Sequence, residues 1–281
     1  MLVFKHRDDY SAWRKAQTRP IAFVPTMGAL HAGHISLIEM AKTKAELTVC
    51  SIYVNPTQFN NADDFARYPI QLSEDYRQLI DAGTDVLFLP DTQEMYPEGL
   101  TQTHVYPIGY LDTVLDGAMR PGHFQGVCRI VHKLLNIIEP HTLLLGRKDY
   151  QQCLVIQQLI EQEQLPVDVV FAPTARAEDG LALSSRNQRL SDEARAIAPQ
   201  LYQVLLRIEG HIQMGIPFEQ AQQEALQQLQ QLGFTPEYIL LAQADNLCLL
   251  QDATPDFPMV LLAAAWLDGV RLIDNIPVSI S

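Results

Sequence analysis

The feature that most constrains this chain is a recurrence of short, almost wholly apolar runs separated by segments of helical spacing. Ile21-Ala22-Phe23-Val24, closed by Pro25, is one such run, and Leu47–Val54, Asp85–Leu89, Thr142–Leu145 and Val167–Phe171 repeat it. Runs this short and this apolar suit strands buried on both faces of a parallel sheet. Between them, Ile35, Ile38, Ala41 and Ala45 mark one helical stripe, and Val155, Ile156, Leu159 and Ile160 mark another. Strand–helix alternation of this kind predicts an α/β unit with a mostly parallel sheet, in which ligands bind beyond the carboxyl ends of the strands.

After about residue 176 the texture changes. Ser191–Glu209 and Pro217–Leu232 read as helices, the second Gln-rich yet with Leu and Ala at helical spacing, and strands return at Tyr238–Leu241 and Val260–Leu267. Asp268-Gly269 between two apolar runs is a two-residue hairpin link. We therefore expect residues 1–176 to form the α/β domain and 177–281 a smaller α+β domain, a division that a chain of 281 residues accommodates.

Four polar constellations fall where runs end. Pro25–His34 combines two glycines and two histidines at a helix entry, where backbone N–H groups and imidazoles can approach phosphate oxygens. His31 and His34, three apart, share one side of the first turn, so they also read as a helix cap or as a metal pair lacking a third ligand. In Gly146-Arg147-Lys148-Asp149-Tyr150-Gln151-Gln152, extending the apolar stripe backwards aims Gln152 inward, where it needs a polar partner such as a bound hydroxyl or carboxylate. The competing reading is an exposed helix start with Asp149 as its N-terminal charge. Leu183-Ser184-Ser185-Arg186-Asn187 offers hydroxyl and guanidinium donors for a triphosphate, or else an ordinary solvated turn. Tyr53–Phe59 ends a strand in uncharged amides, with Asn55 and Gln58 suited to a hydroxylated organic substrate. Arg120–Gly126 is a further loop before a helix.

Composition narrows the partners. With 20 Lys and Arg against 33 Asp and Glu, the formal charge of -13 repels a nucleic-acid backbone, so an anionic nucleotide binds only where basic groups and amides converge. Cys50, Cys128, Cys153 and Cys248 are widely spaced in apolar surroundings and read as free structural thiols of a reducing compartment. Neither a signal-peptide pattern nor a run long enough to span a bilayer is seen, so we expect a cytoplasmic protein without membrane or nucleic-acid partners.

Taken in order, these motifs resemble the pantothenate synthetase (pantoate–β-alanine ligase) family from about Arg19 to the C-terminus, including Arg271-Leu272-Ile273-Asp274-Asn275-Ile276. His31-Ala32-Gly33-His34 and Ser184-Ser185-Arg186-Asn187 are similar to signatures of the wider HxGH nucleotidylyltransferase superfamily. The resemblance implies a Rossmann-like N-terminal domain, a C-terminal lid domain and a homodimer. It implies the condensation of pantoate with β-alanine at the expense of ATP, with Mg²⁺, giving AMP and pyrophosphate through an enzyme-bound pantoyl-adenylate. By the same similarity, Met27, Gly28, Ala29, Leu30, His31, Ala32, Gly33, His34, Gly146, Arg147, Lys148, Asp149, Ala175, Leu183, Ser184, Ser185 and Arg186 would hold ATP. Gln58 and Gln152, with Asn55, would hold pantoate and β-alanine; His34 would match the proton donor, with His31 and Lys148 beside it as catalytic donors. Arg147 stands where the family usually has Glu, Leu183 where Met is common, and Ala175 where Val is usual. Two other readings compete: a nucleotidylyltransferase acting on a phosphorylated small molecule, and a non-catalytic nucleotide sensor.

Overall fold

The computed structural model describes residues 1–101 and 104–280, so Gln102, Thr103 and the last residue of the expected second domain, Ser281, lie outside the described residues. Each apolar run forms a strand, and each of the two sheets has one short strand that was not anticipated. The strands of the first sheet are β1 (Leu2–Phe4), β2 (Ile21–Thr26), β3 (Leu47–Ile52), β4 (Val86–Phe88), β5 (Thr142–Gly146) and β6 (Asp168–Ala172). They lie in the order β1-β4-β3-β2-β5-β6 with every pairing parallel. All six residues of β3 are buried, the burial its composition predicts for a central parallel strand. β1 is a three-residue edge strand whose Leu2 and Val3 are exposed, and it is too short for its pattern to register in the sequence.

From β2 the chain moves outward through β3 to β4, then returns with β5 to the other side of β2. The strand order therefore reverses between β2 and β5, the position at which open α/β sheets form a ligand crevice. β2 and β5 pair only through Ala22↔Thr142 and Phe23↔Leu143. Pro25 does not close the strand as expected; β2 runs on to Thr26 because Pro25 sits past the end of the β5 ladder, where its missing N–H interrupts nothing. The helix Ala32–Lys42 packs on this sheet through Leu37, Ile38 and Ala41, so the buried stripe includes Leu37, while Ile35 is half-buried. Val155, Ile156, Leu159 and Ile160 are buried as their spacing predicts.

A second sheet comprises β7 (Thr235–Gln243), β8 (Leu249–Leu250), β9 (Met259–Leu267) and β10 (Val270–Val278), antiparallel in the order β10-β9-β7-β8. Leu267 pairs with Val270 across Asp268 and Gly269, whose φ values of 50° and 69° are those of a two-residue turn that matches strand twist. The helices Gln200–Gln213 and Phe218–Gln231 supply Leu201, Leu205, Ile208 and Leu229 to one core with Ile239, Leu241, Leu261 and Ala263. The single helix expected over 191–209 is two, Asp192–Ile197 and Gln200–Gln213, because Pro199 begins a new one.

The chain divides into two compact units, Met1–Arg147 with Gln151–Pro173, and Lys148–Tyr150 with Thr174–Ser281. The main division thus falls three residues before the expected boundary, and one short segment departs from it. Cys50, Cys128 and Cys153 are buried and outside any disulfide, and burial pushes the Cys50 and Cys128 thiols up to about 12. Cys248 is exposed, contrary to the expectation of apolar surroundings, because it comes after a polar turn in which its own N–H bonds Asn246.

Candidate active site

The loop after β2 is shaped by a buried carboxylate that the sequence did not reveal. Asp75, on the helix Leu72–Asp81, is 1% exposed and accepts the N–H of Leu30 at 2.7 Å and of Ala29 at 3.0 Å. One turn further along the same helix face, Gln78 donates to the Leu30 carbonyl at 3.3 Å. Burial raises the Asp75 pKa, and the N–H groups of Leu30 and Ala29 oppose the rise. Gly28 takes φ +80°, and a Cβ there would stand 3.0 Å from both Asp75 Oδ2 and Ile52 Cγ2, so the loop needs glycine on both counts. A cavity of about 130 Å³, lined by Met27, Gly28, Tyr53, Val54, Asp75 and Leu89 among others, opens past the ends of β2, β3 and β4.

His31 and His34 cap the helix Ala32–Lys42. His31 Nδ1 accepts the Gly33 N–H at 3.1 Å and His34 Nδ1 accepts the His31 N–H at 3.3 Å, a reciprocal capping box. Because each Nδ1 is an acceptor, each neutral ring carries its proton on Nε2. Of the roles read from the sequence, the structure shows the helix cap, made through Nδ1 of both rings. A metal would need the Nε2 lone pair that this tautomer lacks, and no group of three or more His, Cys, Asp or Glu able to hold one is present among the described residues.

After β3, Asn55 begins the one-turn segment Pro56–Gln58. Asn55 is 1% exposed, and its amide is used internally: Nδ2 donates to Gln58 Oε1 at 3.0 Å and to the Gly126 carbonyl at 3.2 Å, while Oδ1 accepts the Tyr96 hydroxyl at 2.7 Å. Asn55, expected among the substrate ligands, therefore orients Gln58, whose Nε2 faces Met27 Sδ at 3.2 Å. His123 supports the same turn: Arg120 donates to Nε2 at 3.1 Å, so the ring donates from Nδ1 to the Gln58 carbonyl at 2.7 Å.

Behind Asn55, burial pushes the Tyr96 hydroxyl up to about 12, which keeps it a donor. Arg129 lies 4.5 Å from the Tyr96 ring centroid, and Glu98 Oε1 pairs with Lys133 at 2.6 Å and Arg129 at 3.3 Å. The Lys133 ammonium in particular holds the Glu98 carboxyl down at about 2. A depressed carboxylate contributes stability that is complete above its unfolded pKa of about 4.5 and is lost as pH falls through the folded value. Acid titration of stability should show this loss between about pH 4.5 and 2 in the parent and not in Glu98→Gln. Because Glu98 is half-exposed, the amplitude should be under about 1 kcal/mol.

At the end of β5 the inward residue is Gln151 rather than Gln152. Gln151 is 6% exposed; its Nε2 donates to the carbonyls of Leu111 at 2.7 Å and Val114 at 2.9 Å, and its Oε1 accepts the Asp116 N–H at 3.0 Å. Gln152 is half-buried, and among the described residues its side chain has no hydrogen-bond partner. Helix phase placed Gln152 on the apolar stripe, but the loop around residues 111–116 covers its neighbour. Gly146 and Arg147 belong to the same unit as these residues.

The second unit carries Lys148, Asp149, Ala175 and Leu183–Arg186. Lys148 Nζ lies 3.4 Å from Asp149 Oδ1. The Ala175 carbonyl accepts the Leu183 N–H at 2.9 Å, closing a short turn that delivers Ser184, which caps the next turn through the Arg186 N–H at 3.3 Å. Ser185 is buried.

A model of the pantoate–β-alanine ligase family matches residues 3–277. The chain belongs to the pantoate–β-alanine ligase family. It is similar to pantothenate synthetase of Azotobacter vinelandii (strain DJ), 46% identical over 93% of this chain and 92% of that one. That of Shewanella baltica (strain OS223) is 43% identical over 98% and 99%. The crystal structure of pantothenate synthetase from Thermus thermophilus superposes with a TM-score of 0.91 at 38% identity, covering 98% of this chain and 99% of that one. Pantoate–β-alanine ligase from Francisella tularensis, solved in complex with beta-gamma ATP and β-alanine, gives 0.83 at 35% identity over 98% and 97%. As a pantoate–β-alanine ligase family member this chain is an enzyme, a ligase, and the two competing readings, nucleotidyl transfer and nucleotide sensing, are not favoured.

Proposed function

We propose that the chain condenses pantoate with β-alanine in two half-reactions, first forming pantoyl-adenylate from Mg²⁺-ATP. A pantoate carboxylate oxygen attacks the α-phosphorus in line, its new P–O bond replacing the bond to the bridging oxygen of the departing pyrophosphate. The observation that carries this reading is the Nδ1 capping of His31 and His34, which fixes two Nε2–H donors beside the reversal in strand order. Lys148 joins them at the α- and β-phosphates, and Ser184, Ser185 and Arg186 serve the β- and γ-phosphates. Met27, Gly28, Ala29, Leu30, Ala32, Gly33, Gly146, Arg147, Asp149, Ala175 and Leu183 make up the rest of the proposed nucleotide site. No nucleophilic side chain is required, since such transfers depend on positioning and charge stabilisation.

In the second half-reaction the neutral amine of β-alanine attacks the adenylate carbonyl, the carbonyl carbon gains a C–N bond, AMP leaves with the former carboxylate oxygen, and the nitrogen gives up one proton to solvent as the amide forms. Gln58, oriented by Asn55, and Gln152, whose amide is uncommitted among the described residues, hold the pantoyl group. The divalent ion travels with ATP as part of the substrate, held chiefly by phosphate oxygens and water, as Mg²⁺ usually is. The water-excluding lid role of residues 177–281, a homodimeric state and a cytoplasmic location complete the proposal, and rest on the resemblance of the motifs.

Incubation with ATP, Mg²⁺ and pantoate tests it directly. Without β-alanine, pyrophosphate should appear in a single turnover with adenylate retained by the enzyme; with β-alanine, AMP and pyrophosphate should accumulate in equal amounts. A product that keeps the nucleotide would sink the reading.

A further inference from the structure

The C-terminal motif Arg271–Ile276 lies on β10, and its Asp274 and Asn275 are 4% and 7% exposed. Asp274 binds Arg176 bidentately, Oδ2 to Nη1 at 2.6 Å and Oδ1 to Nη2 at 2.8 Å. The same guanidinium donates to the Gly180 carbonyl at 3.0 Å and the Asn275 carbonyl at 3.3 Å, and stacks 3.6 Å from the Tyr202 ring centroid. Arg176 bridges to Ala182 within the turn whose outgoing leg ends at Leu183, directly before Ser184–Arg186. Its neighbour Asn275 acts elsewhere, donating from Nδ2 to the Lys148 carbonyl at 2.9 Å. The Tyr150 hydroxyl secures the other end of that three-residue segment by donating to the Ala244 carbonyl at 2.7 Å.

We infer that Asp274 and Asn275 are a positioning pair for adenylate formation: Asn275 sets the main chain of Lys148, and Asp274, through Arg176, sets the turn that presents Ser184–Arg186. The inference rests on the proposed roles of Lys148 and Ser184–Arg186 at the phosphates. A buried ion pair is a poor source of net stability, because desolvation offsets its Coulomb attraction. What the Arg176–Asp274 pair supplies is geometry, since a planar guanidinium held on its edge by a carboxylate and on its face by a ring has one orientation. Adjacent residues of one strand, whose side chains point to opposite faces, thereby fix two sequence-distant segments at once.

The test measures single-turnover pyrophosphate release per folded enzyme in Asn275→Ala, Asn275→Asp and Lys148→Ala, with KM for ATP and pantoate. Asn275→Ala should lower the rate about tenfold, the loss of one hydrogen bond's worth of alignment, and raise KM for ATP while leaving KM for pantoate within about twofold. Asn275→Asp preserves size but, ionised, cannot donate to the Lys148 carbonyl; protonated, it can. Burial at this position raises the new carboxyl's pKa above its ordinary value of about 3.9, so its rate relative to the parent should climb as pH falls from about 8 to 5, a readout that a packing role does not produce and that survives if the alanine variant fails to fold. Parent-like rates in both Asn275 variants, with Lys148→Ala inactive, would overturn the inference and leave the site intact. A parent-like rate in Lys148→Ala would instead overturn the site assignment on which it stands.

Discussion

Replacing His34 or Lys148 by alanine is expected to lower pantoate-dependent pyrophosphate release by about two orders of magnitude or more, the range for loss of a donor to developing transition-state charge. That is about 2.7 kcal/mol of barrier. The two variants should differ in stability. The Lys148 Nζ contact with half-exposed Asp149, at 3.4 Å, is worth under about 1 kcal/mol. His34 also accepts the His31 N–H, and its removal should cost about 1 kcal/mol as a lost cap. The two functions of the ring are separable. Asn at position 34 can retain an acceptor near the Nδ1 position without reaching where Nε2 stood, and should be stable but nearly inactive. Gln, which places an N–H near the Nε2 position, should recover part of the rate while losing the cap. Parent-like turnover in His34→Ala or Lys148→Ala would remove that residue from the mechanism.

The second large effect is expected at a glycine packed against the turn Pro56–Gln58. A Cβ added at Gly126 would lie 2.2 Å from the Thr57 carbonyl oxygen, 2.6 Å from its carbon and 2.8 Å from Gln58 Cα. All three are backbone atoms, so no side-chain rotation relieves the clash; either the helix His123–Ile138 or the turn Pro56–Gln58 must shift. Gly126→Ala should destabilise the fold by about 3 kcal/mol, the upper range for overpacking a closed interior. Because the Gly126 carbonyl also accepts from Asn55, the shift should propagate to Gln58 and raise KM for pantoate about tenfold while KM for ATP changes little. Equal changes in both constants would show that the damage is global and that Gln58 has no special dependence on this contact.

The sheet was legible because parallel strands buried on both faces are written as uninterrupted apolar runs, and the hairpin because Asp268-Gly269 supplies two residues tolerant of positive φ. Pro25 reads as a terminator and is not one, since its tolerance depends on where the β5 ladder stops, a fact about a strand more than a hundred residues away. The histidines were visible as a pair, but their tautomer was not, because it is set by backbone N–H groups whose direction exists only once the helix has formed. Asp75 left no trace: its partners are 45 and 46 residues distant, and in sequence it is one of two adjacent acids at a helix start. The internal bonds of Asn55 and the inward aim of Gln151 were hidden for the same reason, since an amide's partners depend on which backbone carbonyls fold over it. Motif spacing locates polar groups at strand ends; it does not say which are already spoken for.

The three-residue segment Lys148–Tyr150 gives the chain a property that matters for its ancestry. Although the main division falls between Pro173 and Thr174, these residues group with the second unit and not with the strand that precedes them. A recombination event joining two homologous genes at that division would take Lys148 from one parent and Asn275, its main-chain partner, from the other. Because the contact is made to a main-chain carbonyl, it asks only that position 275 keep its amide, whatever side chain the other parent supplies at position 148.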